Sequence, residues 1–161
     1  MSSAQRKIRL LAHNIRSLWN VGAFFRTCDA LAIERLYLTG YTGHPPRKEI
    51  SKTALGAEEF VLWEHHKDPI PLIEELQKDD WHLVALEILP HASPLQKIKW
   101  KERTCVIVGH ELTGIPENIL SLCQTVTMIP MLGKKESLNV AVATGIALYS
   151  ARTALSAQRK L

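Results

Sequence analysis

Cysteine is scarce and badly placed for cross-linking. Cys28, Cys105 and Cys123 are the three in the chain, an odd number set far apart, which excludes a disulfide framework and zinc-ligand spacing. Each stands among apolar residues, as small buried side chains in a reducing compartment do. Long hydrophobic runs are missing as well. No stretch could span a bilayer, and Met1 to Arg9 holds no apolar segment of signal-peptide length. A cytoplasmic setting is expected, or an organellar one if a transit segment precedes this sequence. Gly/Ser-rich linkers, internal repeats and low-complexity tracts are also absent. The 161 residues therefore read as one domain, 1–161, able to bury about 70% of its unfolded surface. Charge of one sign is in small surplus: 20 Lys and Arg against 16 Asp and Glu leave +4. That permits a polyanionic partner without requiring one.

Apolar runs of strand length alternate with helix-patterned segments. Strands are predicted at Ile8–Ala12, Arg35–Thr39, Phe60–Trp63, His82–Glu87, Cys105–Val108 and Thr125–Ile129. Helices are predicted at Val21–Leu31, Arg47–Ala54, Pro71–Lys78 and Ser137–Leu155, and Leu89–Lys101 reads as a loop. Val/Ile/Leu-dense strands alternating with helices predict an α/β fold, a mostly parallel sheet with helices on both faces.

Three segments end a strand with residues that packing does not demand, where ligands of such sheets sit. In the first, Asn20-Val21-Gly22-Ala23-Phe24-Phe25-Arg26-Thr27, Asn20 stands where a helix cap belongs. Gly22 and Arg26 share a helix face, near a helix end that favours anions. A bland alternative is a cap, a packing glycine and a solvated charge. In the second, Val108-Gly109-His110-Glu111-Leu112-Thr113-Gly114-Ile115-Pro116, a strand runs into Gly109, where backbone can approach a ligand, and a short helix follows. Its glycine spacing is neither a dinucleotide fingerprint nor a Walker loop, which disfavours a nucleotide-dependent oxidoreductase. In the third, Ile129-Pro130-Met131-Leu132-Gly133 precedes Ser137-Leu138-Asn139-Val140. Ser137 is a candidate cap of the last helix. From there to Tyr149 the helix carries no charge, so it is expected to be buried on most sides by a second subunit or an unusual chain path.

Taken together, the three segments resemble the signature motifs of the SpoU (TrmH-type) family of RNA 2′-O-ribose methyltransferases, within the SPOUT superfamily. The resemblance runs over nearly the whole chain. It implies a C-terminal segment threaded into a deep trefoil knot, a homodimer, and S-adenosylmethionine bound by backbone groups around Leu86, Gly109, Ile129 and Leu138. It implies catalytic roles for Arg26, Asn20, Glu111, Ser137 and Asn139. Arg26 would stabilise the forming alkoxide or hold phosphate, with Glu111 orienting it through a bidentate pair. Asn20 and Asn139 would position the ribose or Arg26, and Ser137 would touch substrate or shape its loop. Guanidinium hardly deprotonates, so phosphate or solvent would take the proton. No metal is expected, and His44, His65 and His66 read as surface residues. Arg16, Arg47, Lys48, Lys52, Lys134 and Lys135 could track an RNA backbone. Transfer RNA is favoured over ribosomal RNA as substrate, and a catalytically silent RNA-binding module on the same fold stays open.

Overall fold

A computed structural model describes residues 5–155. The described strands are β1 (Lys7–His13), β2 (Arg35–Thr39), β3 (Trp63–His66), β4 (His82–Leu86), β5 (Ser93–Pro94), β6 (Arg103–Val108) and β7 (Thr125–Met128). They form one seven-stranded sheet in the order β3-β2-β1-β6-β4-β7-β5. Every neighbouring pair is parallel, so all strands end on the same side. Between them run the helices α1 (Leu18–Ala30), α2 (Lys48–Ala54), α3 (Pro69–Lys78), α4 (Glu117–Leu120) and α5 (Val140–Thr153).

The two-residue period of the strands divides the core between the two faces. Leu10, Leu36, Val84, Val106 and Val108 pack with Phe24, Phe25 and Cys28 of α1 and Ala147 and Leu148 of α5. Leu11, Tyr37, Leu83, Ala85 and Ile107 pack with Leu72, Ile73 and Leu76 of α3 and Ile119 of α4. Burial on both faces is why the strands read as continuous apolar runs rather than alternating ones. The three thiols are free. Cys28 and Cys105 are buried and Cys123 half-buried, and burial pushes the Cys123 thiol up to about 12.

Several boundaries differ from the sequence reading. α1 begins three residues before Val21 because Ser17, not Asn20, is its cap: the Ser17 side chain accepts the Asn20 N–H. The edge strand β3 is Trp63–His66 rather than Phe60–Trp63, since polar side chains alternating on an edge carry no apolar signal. Asp68 caps α3, which starts at Pro69, a position where proline's missing N–H costs nothing. The stretch read as a loop, Leu89–Lys101, holds the two-residue β5 and a 3-10 turn. α5 starts at Val140 and is capped by Asn139, whose side chain accepts the N–H groups of Ala141 and Val142. Ser137 therefore lies outside the helix.

α5 is buried on one side only. Thr144, Ala147, Leu148 and Ala151 face the core, whereas Val142, Ile146 and Tyr149 are 52, 42 and 60% exposed. Within one chain, an apolar stripe at helical spacing therefore remains exposed, and the cover expected on that side is not supplied by the described residues. Gly22 explains how α1 and α2 come together. A Cβ there would run into Thr53 Oγ1 and the Ile50 carbonyl oxygen of α2, so glycine is required by helix packing, as in the bland alternative.

Candidate active site

The adjacent strands β1, β6, β4 and β7 end side by side, which gathers the segments that follow them. Between the loops after β4, β6 and β7 lies a cavity of about 350 Å³, within the usual size of small-ligand sites. Leu86, Gly109, Ile129 and Leu138, the four positions implied for cofactor contact, all line it, as do Glu111 and Ser137. Met128, Ile129, Met131 and Leu138 give it apolar walls, and Glu87, Glu111 and Glu136 give it carboxylates with no lysine or arginine among the lining residues. That donor set fits a nucleoside carrying a sulfonium cation: apolar surface for a base, acceptors and negative charge for the rest.

The motif-two loop is built by its own backbone. Gly114 has φ +73°, and its N–H donates to the His110 carbonyl at 2.9 Å. The backbone N–H groups of Leu112 and Thr113 both donate to His110 Nδ1, at 3.0 and 3.1 Å, which leaves the imidazole proton on Nε2. A Cβ on Gly109 would lie 2.6 Å from the carbonyl carbon and oxygen of Gly114. Gly109 thus lets the loop fold onto itself, a different reason from the ligand approach the sequence suggested.

A polar relay joins motifs two, one and three. Glu111 accepts from the backbone N–H groups of Arg16 and Ser17, at 2.9 and 3.0 Å, and from Asn20 Nδ2 at 3.1 Å. Asn20 Oδ1 in turn accepts from Asn139 Nδ2 at 3.2 Å. A carboxylate is therefore fixed before the N-terminus of α1, and two asparagines tie α1 to the start of α5. Burial pushes the Glu111 carboxyl up, but the N–H groups of Ser17 and Arg16 and the Asn20 amide outweigh it and hold it below the usual carboxylate range. A carboxylate depressed in the folded state stabilises it fully above the ordinary value of about 4.3. The contribution is lost as pH falls through the folded value. The melting-temperature gap between wild type and Glu111→Gln is accordingly expected to be constant from about pH 7 to about pH 5 and to close toward about pH 3. A gap that stays open at the acid end would show that the charge is not what anchors α1.

Arg26 is where the structure departs from the sequence reading. It is exposed on α1 and lines a separate shallow depression with Ala23, Thr27, Ala30, Lys52 and Thr53. No ion pair joins it to Glu111 among the described residues; the Glu111 carboxylate is taken by the Arg16 and Ser17 N–H groups and by Asn20. Within one chain the bidentate pair does not form, because motif one turns Asn20, not Arg26, toward Glu111. His44 and His65 are exposed and His66 is half-buried; His44 stacks on Trp63 at 5.6 Å. Arg16, Arg47, Lys48, Lys52, Lys134 and Lys135 are all exposed, with Arg47 3.9 Å from Glu49.

The cavity also has lining residues that the sequence reading passed over, among them Glu87, His110 and Met131. Glu87 was reachable: a carboxylate at the very end of a strand of apolar residues sits where ligands of parallel sheets bind.

Residues 7–149 match the model of the SpoU rRNA methylase family. The chain belongs to the SpoU family. A SpoU relative, the tRNA (guanosine(18)-2′-O)-methyltransferase of Aquifex aeolicus, is 29% identical over 153 residues, covering 94% of this chain and 72% of the relative. The S-adenosylmethionine-bound rRNA methyltransferase of Sinorhizobium meliloti has the same fold, with a TM-score of 0.86, 23% identity and 98% coverage of this chain. Here the chain spans only 60% of the solved one. A structure described as giving insight into 2′-hydroxyl methylation of C/U34 on tRNA is similar in length as well. It matches with a TM-score of 0.80 and 25% identity, over 91% of this SpoU chain and 94% of its own.

Proposed function

We propose that this SpoU protein transfers a methyl group from S-adenosylmethionine to a ribose 2′-hydroxyl of RNA, with transfer RNA as the substrate class. The observation that carries this reading is the convergence of Leu86, Gly109, Glu111, Ile129, Ser137 and Leu138 on one cavity, next to the Glu111–Asn20–Asn139 relay. S-adenosylmethionine bound there would supply an electrophilic methyl group. The residues of the chain have three tasks. The walls from Ile129 to Leu138 exclude water and fix orientation, which can supply much of the rate of a bimolecular transfer. Asn20 and Asn139 hold the floor of the site rigid and place amide groups beside the ribose. Arg26 provides a permanent cation for the oxygen as it gains charge, or for the adjoining phosphate, while phosphate or solvent accepts the proton.

Because Arg26 lies outside the cavity of its own chain, its guanidinium must meet that cavity through RNA or a second copy. A homodimer supports both this and the uncovered Val142–Ile146–Tyr149 stripe. Threading of the segment after β7 into a knot would also suit a cavity walled jointly by Leu86–Ile88 and Glu136–Leu138. Among the described residues no helix is long and apolar enough to cross a membrane. The exposed Arg16, Arg47, Lys48, Lys52, Lys134 and Lys135 would follow the RNA backbone.

The transfer-RNA reading draws on the Aquifex aeolicus relative and the tRNA C/U34 structure. Purified protein incubated with labelled S-adenosylmethionine and either bulk tRNA or ribosomal RNA is expected to label tRNA at alkali-resistant 2′-O-methyl positions. Label in ribosomal RNA alone would move the substrate, and RNA binding without transfer would favour a silent binding module. Sedimentation at micromolar concentration is expected to show a dimer; monomer alone would leave the α5 stripe unexplained and remove the route by which Arg26 reaches a second cavity.

A further inference from the structure

We infer that Glu87 makes the cavity discriminate between the sulfonium cofactor and the thioether product left after methyl transfer, an inference that rests on the cofactor assignment above. Glu87 is the first residue past β4, and its N–H still bonds to the Thr127 carbonyl of β7 at 2.9 Å. Its side chain is pinned. Oε2 accepts the Ile115 N–H at 2.8 Å and Oε1 the Ile88 N–H at 3.1 Å. The carboxylate also fills the space beside Gly114, where a Cβ would run into Oε2. The group therefore cannot swing away from the cavity it lines.

Its structural duty does not require a charge. A glutamine would offer the Ile115 N–H an acceptor of the same reach and give up only the bond to the exposed Ile88 N–H, so the negative charge is surplus to holding the Gly109–Ile115 loop. Nor is that charge compensated: no lysine or arginine lines the cavity, and Glu87 joins no ion pair among the described residues. The other two carboxylates of the lining are placed differently. Glu111 is occupied by Arg16, Ser17 and Asn20, and Glu136 is exposed on the segment after β7. Burying part of an unpaired charge is costly unless a ligand repays it. The methyl donor and its demethylated product differ by one methyl and one positive charge. A fixed carboxylate in the same small cavity separates them electrostatically by about five- to tenfold at an effective dielectric between those of protein and water. The product, without the positive charge, forgoes that attraction, so the donor outcompetes it for the cavity by the same factor.

Calorimetric titration of wild type, Glu87→Gln and Glu87→Ala with S-adenosylmethionine and with S-adenosylhomocysteine tests this. Glu87→Gln is expected to weaken the sulfonium ligand about five- to tenfold and the thioether less than about twofold. Glu87→Ala, which also loses the Ile115 acceptor, should weaken both. Equal losses for the two ligands in Glu87→Gln would reduce Glu87 to a loop-positioning residue and overturn the inference. Should Glu87→Gln not fold, Glu87→Ala decides: the sulfonium ligand must lose about five- to tenfold more affinity than the thioether, and equal losses reject a charge effect. If wild type binds neither ligand, the cofactor assignment itself fails, and this inference fails with it.

Discussion

Replacing Arg26 by alanine is expected to slow single-turnover methyl transfer to RNA by a factor of about 10²–10³, with the affinity for S-adenosylmethionine unchanged. The separation of the two effects follows from position. Arg26 is exposed on α1 and absent from the cavity lining, so cofactor bound between the loops after β4, β6 and β7 has no contact to lose. What the variant lacks is a cation for charge that exists mainly in the transition state, and such losses fall on the chemical step. Arg26→Lys keeps the charge but not the planar fork, and little rescue is expected. Single-turnover rates beside cofactor titrations for the three proteins give the answer. A rate for Arg26→Ala within a few-fold of wild type would make Arg26 one more solvated cation on α1. A parallel loss of cofactor affinity would mean that Arg26 does reach a cavity before RNA arrives, as a second copy of the chain would allow.

Gly109→Val carries the other large expectation: loss of cofactor binding by about 30–100-fold, together with a drop in stability of about 1–3 kcal/mol in the absence of any ligand. The added atoms would meet backbone, not a movable side chain. The Gly114 carbonyl carbon and oxygen lie 2.6 Å from the Cβ position and the Ile115 nitrogen 2.7 Å. Relief requires the Gly109–Ile115 loop to open. That pulls the Ile115 N–H away from Glu87 and shifts the wall formed by Gly109, His110 and Gly114. Calorimetry with cofactor and a thermal melt without it measure the two parts. A variant that fails to bind yet melts as wild type would show that the ligand, not the loop, needs the bare backbone at Gly109.

That contrast marks where the sequence was legible. Strands buried on both faces announce themselves by composition, so β2 was placed to the residue and β1, β4, β6 and β7 within two residues at each end. The edge strand β3 was placed three residues early, because Glu64, His65 and His66 look like a loop unless their hydrogen-bonded neighbour is known. In the site, the residues of the three motifs were found, but not who holds whom. Sequence spacing puts Arg26 on the same helix as Asn20 without revealing that Asn20 alone turns to Glu111. It puts glycine at 22 and 109 without revealing that the first lies against Thr53 Oγ1 and the Ile50 carbonyl oxygen and the second against the Gly114 backbone. Glu87 carried no motif at all; its meaning comes from Ile115 and Gly114, which are near it only after folding.

The order of strands has a consequence for how the chain is made. β1 lies between β2, which follows shortly, and β6, whose Val106 pairs with Leu10. The far end of the chain then closes on the near end, with Arg152 donating to the carbonyls of Arg6 at 2.6 Å, Leu31 at 2.8 Å and Ala32 at 2.7 Å. At the usual pace of synthesis, about 5–20 residues per second, β1 emerges roughly 5–20 s before the strand that must cover its second edge. Through that interval Leu10 and Leu11 belong to a parallel strand with one open side, the kind of segment most prone to pair with a neighbour on another chain. The nascent protein is thus at its most aggregation-prone midway through translation, and a pause between β2 and β6 would be expected to lower its soluble yield.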